Sequence, residues 1–455
     1  MNIPELGVGL VYWPGLDPLL DEVDLIEIEP QSYWHEYRAD DAALEMLRNI
    51  PLRKIIHGVG FPVGGSFLPD PLHIPPLVGV ARALEAAWAS EHLGFNRVNG
   101  PAGIFNTGFV LPPIQTGKGV DAAVSNILMM KSELGIPFAF ETTANYLEPL
   151  EGEMRDGEFA AEIAERADCG ILLDLHNIWA NELNGRQTVK EFLSDLPLDR
   201  VWEVHLAGGF MREGFWLDAH SGEIPAPVLE IAEDVIPRLP NLGAIVFEML
   251  PFFLALSGTD LVRRQLDAMR GLWERSRSRL PDSSHRMRER READISPQQW
   301  EHALAALVSG RDPETGLEKK LAREDGVRLL RHLAEEFRAG MVVDALKLTS
   351  RLLLLERGEE GFREILARFW KDTSPALFES SEAESFGAWL KRENLEIPHL
   401  REVLDFELAV IRSLITRKNQ ITMFDHEPEA VIEALRAGTL PKSPMKGVFE
   451  VEVTI

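Results

Sequence analysis

Cysteine is almost absent from this chain of 455 residues, since Cys169 is the only one. A single cysteine excludes a disulfide framework and a thiolate metal cluster, and its place directly before an apolar run predicts a small buried side chain. Basic residues are also few, because 47 Lys and Arg stand against 73 Asp and Glu, a formal net charge of -26. Such a chain lacks the basic face of a general nucleic-acid binder and has little affinity for anionic membranes.

Long hydrophobic runs are missing as well. No uninterrupted apolar run approaches the roughly 20 residues that span a bilayer, and the N-terminus has no basic region followed by a long apolar core. We therefore expect a soluble, cytoplasmic protein without membrane or nucleic-acid partners. The length suits a barrel of about 250 residues followed by a second domain.

Short apolar runs that close on a polar residue recur along the first half of the chain. The central one is Gly170 to Leu173, which leads into Asp174, His176 and Asn177. Four similar runs close on His57, Glu141, His205 and Glu248. Stretches with helical periodicity separate them, and strands that alternate with helices predict parallel pairing with right-handed crossovers. The pattern therefore predicts an α/β fold, a TIM (β/α)8 barrel over residues 1–275, whose strand ends converge on one site.

Two barrel strands are less certain in the sequence. Residues 23–29 look like the first strand, with the glycine-rich segment 7–10 before it. Residues 90–93 could continue the preceding helix or form a short strand, and we favour the strand.

The alternation stops after a polar segment that is dense in charge. We take residues 276–294 as a linker and residues 295–455 as a second, mainly helical domain. At its end, Phe449, Val451, Val453 and Ile455 alternate with polar residues. This alternation predicts a small, half-buried β-hairpin.

The candidate site gathers ten residues that are oxygen or imidazole ligands. They are His57, His92, Glu141, Asp174, His176, Asn177, His205, Asp218, His220 and Glu248. Such ligands without sulfur suit iron, manganese or zinc, and their number suits more than one ion. A lone histidine at a strand end is usually structural, but a series of such endings, each one βα unit apart, favours a metal site.

Other polar residues have simpler interpretations. Glu27 and Glu29 either accept hydrogen bonds from those ring nitrogens of the histidines that do not bind metal or form a salt bridge at the barrel rim. Histidines outside the strand-end pattern are taken as surface or packing residues, namely His35, His73, His302, His332, His399 and His426.

Several blocks, taken in order, resemble the multinuclear non-haem iron-dependent oxidative enzymes over roughly residues 5–270. The blocks are 57–59, 90–93, Glu141 with 146–147, 172–177, 205–208, 218–220 and Glu248. The resemblance implies a TIM barrel with two or three irons in mixed Fe(II) and Fe(III) states and dioxygen as co-substrate. It also implies oxidation of a Cys, Asp or Asn type of residue in a ribosomally made precursor peptide. The ten candidate residues would then be iron ligands, with Asp174, His205 and Glu141 at the reacting centre.

Three positions depart from the family's pattern. Thr142 and His176 stand where the family usually has asparagine, and Gly209 replaces a second histidine. These departures leave the number of irons open. His176 is either an added ligand or a residue that faces the substrate.

The second half resembles the partner proteins that present peptides to this family. The likeness lies in residues 386–390, residues 397–408 and the terminal hairpin. The resemblance implies a fusion of oxidase and peptide-recognition domain, and a role in a homodimer is the other explanation for residues 295–455.

Two other function classes remain open at this point. A TIM barrel with His, Asp and Glu ligands also suits a zinc phosphodiesterase or a sugar isomerase, although the acidic charge disfavours a nuclease. A non-catalytic peptide-binding protein is the second alternative, because of the substitutions at Thr142 and Gly209.

Overall fold

The structure, a computed structural model, describes residues 3–35, 38–39, 41–67, 71–100, 103–276 and 294–454. The chain forms two compact units. The first consists of Met1–Asn99, Val110–Ala305 and Pro313–Leu329, and the second of Gly100–Phe109, Ala306–Asp312 and Leu330–Ile455. Apart from its two end residues, the predicted linker 276–294 lies outside the described residues.

The first unit contains a closed barrel of eight parallel strands, which confirms the predicted TIM barrel. The strands are β1 Gly7–Val11, β2 Leu25–Ile28, β3 Arg53–Gly58, β4 Ala89–His92, β5 Phe138–Glu141, β6 Gly170–Asp174, β7 Val201–Ala207 and β8 Ala244–Glu248. Each strand pairs with its neighbours in sequence, and β1 pairs with β8 to close the barrel. Strand β4 confirms the strand interpretation of residues 90–93.

The strand predicted within residues 23–29 is present as Leu25–Ile28, but the prediction that it is the first strand was wrong, because Gly7–Val11 precedes it in the barrel. The glycines that obscured this strand have a packing role. A side chain at Gly9 would come within 2.6 Å of Leu25 on the adjacent strand β2. Gly9 therefore lets β1 and β2 approach closely, although glycine has a low strand propensity.

Helices alternate with the barrel strands along the chain, as the sequence pattern predicted. They are α1 Asp41–Arg48, α2 Ile74–Ala83, α3 Gly117–Leu134, α4 Asp156–Ala167, α5 Leu175–Leu183, α6 Val189–Asp195, α7 Ala226–Val235, α8 Pro251–Ser257, α9 Thr259–Ser276, α10 Pro297–Val308 and α11 Gly316–Leu321. Short additional strands lie in the loops at Trp34–His35, Arg38–Ala39, Phe95–Gly100, Gly103–Leu111, Phe210–Arg212 and Phe215–Leu217. Among the described residues, no helix is both long enough and apolar enough to cross a membrane.

Residues beyond the barrel strands also belong to the first unit. The Nε1–H of Trp300 donates a hydrogen bond to the Pro112 carbonyl at 2.9 Å, and Glu301 accepts one from the Ser66 backbone N–H at 2.7 Å. Both side chains are buried. Removal of everything after the barrel would therefore expose part of this unit.

The second unit is mainly helical, as predicted. Its elements are α12 Asp325–Ala345, which begins in the first unit, α13 Lys347–Asp372, α14 Glu379–Glu393, α15 Leu400–Thr416, α16 Pro428–Arg436 and strands β9 Gln420–His426 and β10 Lys446–Val453. Helix α13 is kinked at Gly358, where φ is 70°. In the core of this unit, Phe386 and Trp389 stack, and Phe369 contacts both rings edge-on.

The terminal strands pair antiparallel, which confirms the predicted hairpin. Helix α16 lies in the connection between them, so the hairpin has a long loop rather than a tight turn. Phe424 and Val453 are buried on the inner face of this two-stranded sheet, whereas Ile421 and Met423 are exposed on the outer face.

Candidate metal centre

The polar residues at the ends of the barrel strands come together at one mouth of the barrel. Because all eight strands are parallel, their carboxyl ends share one face. Strands β3 to β8 carry His57, His92, Glu141, Asp174, His205 and Glu248, and the loop after β7 carries Asp218 and His220. These eight of the ten predicted residues form three adjoining groups, and within each group the ligand atoms lie within 4.8 Å of one another.

The first group consists of His57, His92 and Glu141. The Nε2 atoms of the two imidazoles lie 3.3 and 3.1 Å from Oε2 of Glu141. On the other side of the rings, Nδ1 of His57 lies 2.9 Å from the Ser90 hydroxyl, and Nδ1 of His92 lies 3.0 Å from the Gly58 carbonyl. A carbonyl only accepts hydrogen bonds, so Nδ1 of His92 carries the proton and Nε2 presents a lone pair. This tautomer binds a metal through Nε2.

The second group shares Glu141 with the first and adds Asp174, His205 and Glu248. Asp174 ends β6 and caps helix α5, since its Oδ1 accepts a hydrogen bond from the backbone N–H of Asn177 at 2.8 Å. Nδ1 of His205 lies 3.1 Å from Oε2 of Glu248. A carboxylate that belongs to two neighbouring groups is the arrangement found between two ions in dinuclear carboxylate sites.

The third group shares Asp174 with the second and adds Asp218 and His220. Nε2 of His220 lies 3.1 Å from Oδ1 of Asp218 and 3.2 Å from Oε2 of Glu248. The loop backbone is fixed nearby, because the N–H of Asp218 donates to the Tyr146 hydroxyl at 3.2 Å.

Two further buried carboxylates, Glu27 and Glu203, form another group of possible ligands with His205. Glu203 precedes His205 by two residues on β7, so both side chains point to the barrel interior. Nε2 of His205 lies 3.2 Å from Glu27 and 3.5 Å from Glu203, while the Trp88 indole N–H donates to Glu203 at 2.8 Å. Glu27 is 1% exposed, which agrees with support of the histidine and not with a salt bridge at the rim.

Burial and crowding perturb the acids and bases of this centre. Burial, followed by the charges of Asp218 and Glu141, raises the pKa of Asp174 well above its usual value. Burial opposes protonation of His220, but Asp218 and Glu248 outweigh it and raise the pKa of His220 to about 10. Burial would raise the pKa of Glu248, yet His220 and His205 hold it well below its usual value. Buried carboxylates in such number favour a positive charge between them.

Several ligand atoms are buried without a hydrogen-bond partner among the described residues. They are Oε1 of Glu27, Oε2 of Glu141, Oδ2 of Asp174, Oδ1 of Asn177, Oε1 of Glu203, Oδ1 of Asp218, Nδ1 of His176 and Nε2 of His220. An unpaired buried carboxylate oxygen is costly in a protein interior. Cations between these atoms would satisfy most of them, so the donor set fits metal ions with oxygen and nitrogen ligands.

His176 lies beside the three groups and belongs to none of them, and Asn177 follows it at the start of α5. The indole N–H of Trp216 donates a hydrogen bond to Nε2 of His176 at 2.9 Å, and Nδ1 of His176 lies 3.5 Å from Oδ1 of Asp218. A neutral imidazole has one nitrogen lone pair, and here Trp216 occupies it. The amide of Asn177 donates to Oε1 of Glu141 at 3.4 Å.

Two of the departures from the family pattern have local structural roles. The Thr142 hydroxyl accepts a hydrogen bond from the backbone N–H of Asp174 at 3.0 Å and so helps to place that carboxylate. At Gly209, an added Cβ would come within 2.5 Å of Nε2 of His176 and 2.7 Å of Nε1 of Trp216. Glycine at 209 therefore leaves room for the hydrogen bond between His176 and Trp216.

The sequence did not single out Glu203, Trp88 or Trp216. Glu203 lies inside the apolar run that predicted β7, and it was read as part of that run. Its spacing of two residues from His205 was the available signal, because alternate residues of a strand share a face. No comparable local signal exists for Trp216, which reaches His176 across 40 residues of sequence.

Comparison with known proteins adds family information to this geometry. The family described as RiPP precursor modification enzyme MbnB/TglH/ChrH matches residues 6–249. A UPF0276 protein of Streptomyces avermitilis is 29% identical over 251 residues, which cover 53% of this chain and 50% of that protein. Another, from Chromobacterium violaceum, is 31% identical over 225 residues, which cover 48% of this chain and 79% of that protein. The chain thus spans about half the length of the first relative.

Among solved structures, D-allulose 3-epimerase from Methylomonas sp. in complex with D-allulose is 14% identical. That match covers 62% of this chain and 98% of the epimerase, with a TM-score of 0.39.

Proposed function

Because the chain belongs to the family of RiPP precursor modification enzymes MbnB/TglH/ChrH, we propose that it oxidises a residue of a ribosomally made peptide with iron and dioxygen. The observation that carries this proposal is the set of three adjoining ligand groups, which share Glu141 and Asp174. Shared carboxylates favour two or three ions over one, and imidazole with carboxylate ligands suits iron.

Each group would hold one ion. His57, His92 and Glu141 would hold the first; Glu141, Asp174, His205 and Glu248 the second; Asp174, Asp218 and His220 the third. Bound iron would supply the electron-transfer chemistry with dioxygen that no protein side chain provides. Asp174, His205 and Glu141 lie at the centre of this set.

The chain's own residues set the protonation states of these ligands. Ser90 and the Gly58 carbonyl face Nδ1 of the first two histidines and so present Nε2 to the site. Glu27 and Glu203 face Nε2 of His205, which leaves Nδ1 directed toward Glu248. Such outer contacts fix ring orientation and raise ligand basicity.

His176 orients Asp218 in this account and does not bind iron. Trp216 occupies the lone pair of Nε2, so the proton lies on Nδ1 and faces Asp218. His176 therefore couples the aromatic side chain of Trp216 to a ligand of the third group.

We expect His176→Asn and Trp216→Phe to retain the iron content but to change the Mössbauer parameters of one iron. His176→Asn removes the imidazole whose Nδ1 lies 3.5 Å from Asp218, and Trp216→Phe removes the hydrogen bond that fixes that imidazole. Trp179→Phe is the matched control, because Trp179 contacts the His176 ring and the hydrogen bond to His176 comes from Trp216. Loss of a whole iron equivalent in His176→Asn would instead identify His176 as a ligand.

An apolar rim beside the third group would receive the peptide. Phe210, Met211, Phe252 and Leu256 are exposed on the segments that flank Asp218 and Glu248. Phe210 and Phe252 both contact Phe253, at ring distances of 6.3 and 5.3 Å. An exposed apolar cluster next to a polar site is typical of a ligand-binding edge.

The second domain, residues 295–455 after the linker 276–294, would capture the precursor peptide. Its sheet of β9 and β10 has only two strands, so each strand has an edge outside the pair. An extended peptide can add to such an edge as another strand. Tethering on one chain would raise the peptide's effective concentration at the iron site, to about the millimolar range for a short flexible connection.

The direct test is dioxygen consumption by the iron-loaded full-length protein in the presence of a precursor peptide encoded beside its gene. We expect consumption that depends on the peptide, together with a change in the peptide's mass. Mass change without dioxygen would point to another chemistry of the barrel, and peptide binding without either would favour a non-catalytic role.

A further inference from the structure

A second convergence of ligand side chains lies in the helical unit. His399 and Glu402 come from the start of α15, and His426 comes from the end of β9. Nδ1 of His399 lies 2.5 Å from Oε1 of Glu402, and Nδ1 of His426 lies 3.0 Å from the same oxygen. The two rings are 4.4 Å apart at 76°. In the described part of this unit, these three side chains are the one group whose ligand atoms can surround a single ion.

The carboxylate of this group is held in place by the backbone. Oε2 of Glu402 accepts hydrogen bonds from the N–H groups of Asp425, at 2.7 Å, and His426, at 3.2 Å. Oε1 is therefore directed at the two imidazoles. A carboxylate oriented in this way by a second contact resembles the supported ligands of metal sites.

The backbone at His399 is unusual. Its φ is 64°, in the left-handed region that favours glycine and asparagine, directly before the first turn of α15. Such a conformation is retained where surrounding contacts fix it. At this position it accompanies the approach of the ring to Glu402, three residues later.

We propose that His399, Glu402 and His426 form a site for one divalent transition-metal ion, zinc being the best match. Two imidazoles and one carboxylate form the ligand set of zinc sites that have three protein ligands and a water molecule in the fourth position. The side chain of His426 is 21% exposed, which gives an ion access, whereas Glu402 is only 6% exposed. Binding displaces any proton on the two Nδ1 atoms, so the rings become Nε2–H tautomers.

The ion would join the N-terminus of α15 to the end of β9. These elements also meet through the two backbone contacts of Glu402 and through a shared hydrophobic core, in which Phe424 packs against Phe406. A metal bridge between a helix start and a strand end fixes the orientation of the sheet and couples metal binding to the stability of this unit. The site shares no residue with the proposed iron ligands and does not depend on the proposed oxidation.

The test uses the full-length protein, treated with a chelator and then equilibrated with zinc at neutral pH. We expect Glu402→Gln and the double variant His399→Gln/His426→Gln each to bind about one zinc fewer than the wild type, as loss of a ligand from a three-ligand site requires. Zinc should raise the unfolding temperature of the helical unit in the wild type and not in the variants. His332→Gln, a histidine of the same unit outside the group, is the control and should keep the full zinc content.

Equal zinc content in the wild type, Glu402→Gln and the double variant would overturn the proposal and leave a hydrogen-bonded cluster only. Glu402→Gln keeps an amide oxygen that can accept from Asp425 and His426, so it addresses the case in which the double variant fails to fold. Iron content of the barrel, measured on the same variants purified without chelator, should equal that of the wild type. A failure of the iron proposal would therefore appear separately from a failure of this one.

Discussion

Asp174→Asn is expected to remove at least one metal ion and to lower turnover by about 100-fold or more, since even residues behind a ligand contribute about 10- to 100-fold to metal affinity. Asp174 is shared by two ligand groups, so its loss affects two ions at once. Asparagine has nearly the same shape and keeps an oxygen for the N–H of Asn177, which preserves the cap of α5. Elemental analysis and peptide turnover, with circular dichroism for the fold, measure the effect.

The matched control is Glu153→Gln. Glu153 is also a buried carboxylate of the first unit, but it accepts hydrogen bonds from the backbone N–H groups of Gln115 and Leu150 and belongs to no ligand group. We expect this variant to keep its metal and its turnover. If Asp174→Asn kept full metal content and activity, the assignment of Asp174 as a shared ligand would be wrong.

Met423→Glu is expected to raise the KM for the precursor peptide about tenfold or more, which corresponds to about 1.4 kcal/mol of binding free energy. Met423 is 48% exposed on the outer face of the terminal sheet, beside Ile421 at 64%, and Glu450 is its cross-strand partner. Glu452 lies opposite Ile421 on the same face, so a second acid opposite Glu450 removes one of two exposed apolar side chains and makes the face repulsive to an apolar peptide side chain. Because Met423 is exposed, the substitution should leave the fold and kcat unchanged.

Met46→Glu provides the comparison, since Met46 is an exposed methionine of the first unit at 72%. It introduces the same charge away from the terminal sheet and should leave KM unchanged. Equal KM values for the wild type and both variants would show that the peptide does not bind this face. Residues 295–455 would then require another role, for example in a homodimer.

Much of the barrel could be predicted because its chemistry repeats. A buried apolar run that ends in a ligand residue signals a strand whose end faces the site, and this signal identified His57, Glu141, Asp174, His205 and Glu248. The same reasoning failed for β1, since its glycines are chosen for close approach to β2 and not for strand propensity. A local sequence pattern indicates which residues are buried and with what periodicity. It does not show how closely a strand packs against the adjacent strand, because that depends on the residues of the adjacent strand.

Contacts between distant segments could not be predicted from the sequence. His399 and His426 were interpreted as surface or packing residues, because neither lies at a strand end of the barrel. The structure places both against Glu402, which joins a helix start to a strand end. His176 is similar, since its tautomer depends on Trp216, which comes from a later loop. The residue type can suggest a metal ligand, but the fold determines which atom forms a hydrogen bond with its nitrogen lone pair.

The proposed function requires that the barrel holds more than one iron. The most direct measurement is the iron and zinc content per chain of the full-length wild-type protein purified without added metal, with Mössbauer spectroscopy of an iron-57 sample. The three ligand groups predict more than one iron per chain, with distinct iron environments in the spectrum. Zinc at about one equivalent in the barrel with negligible iron, a composition typical of hydrolytic zinc sites, would contradict the account.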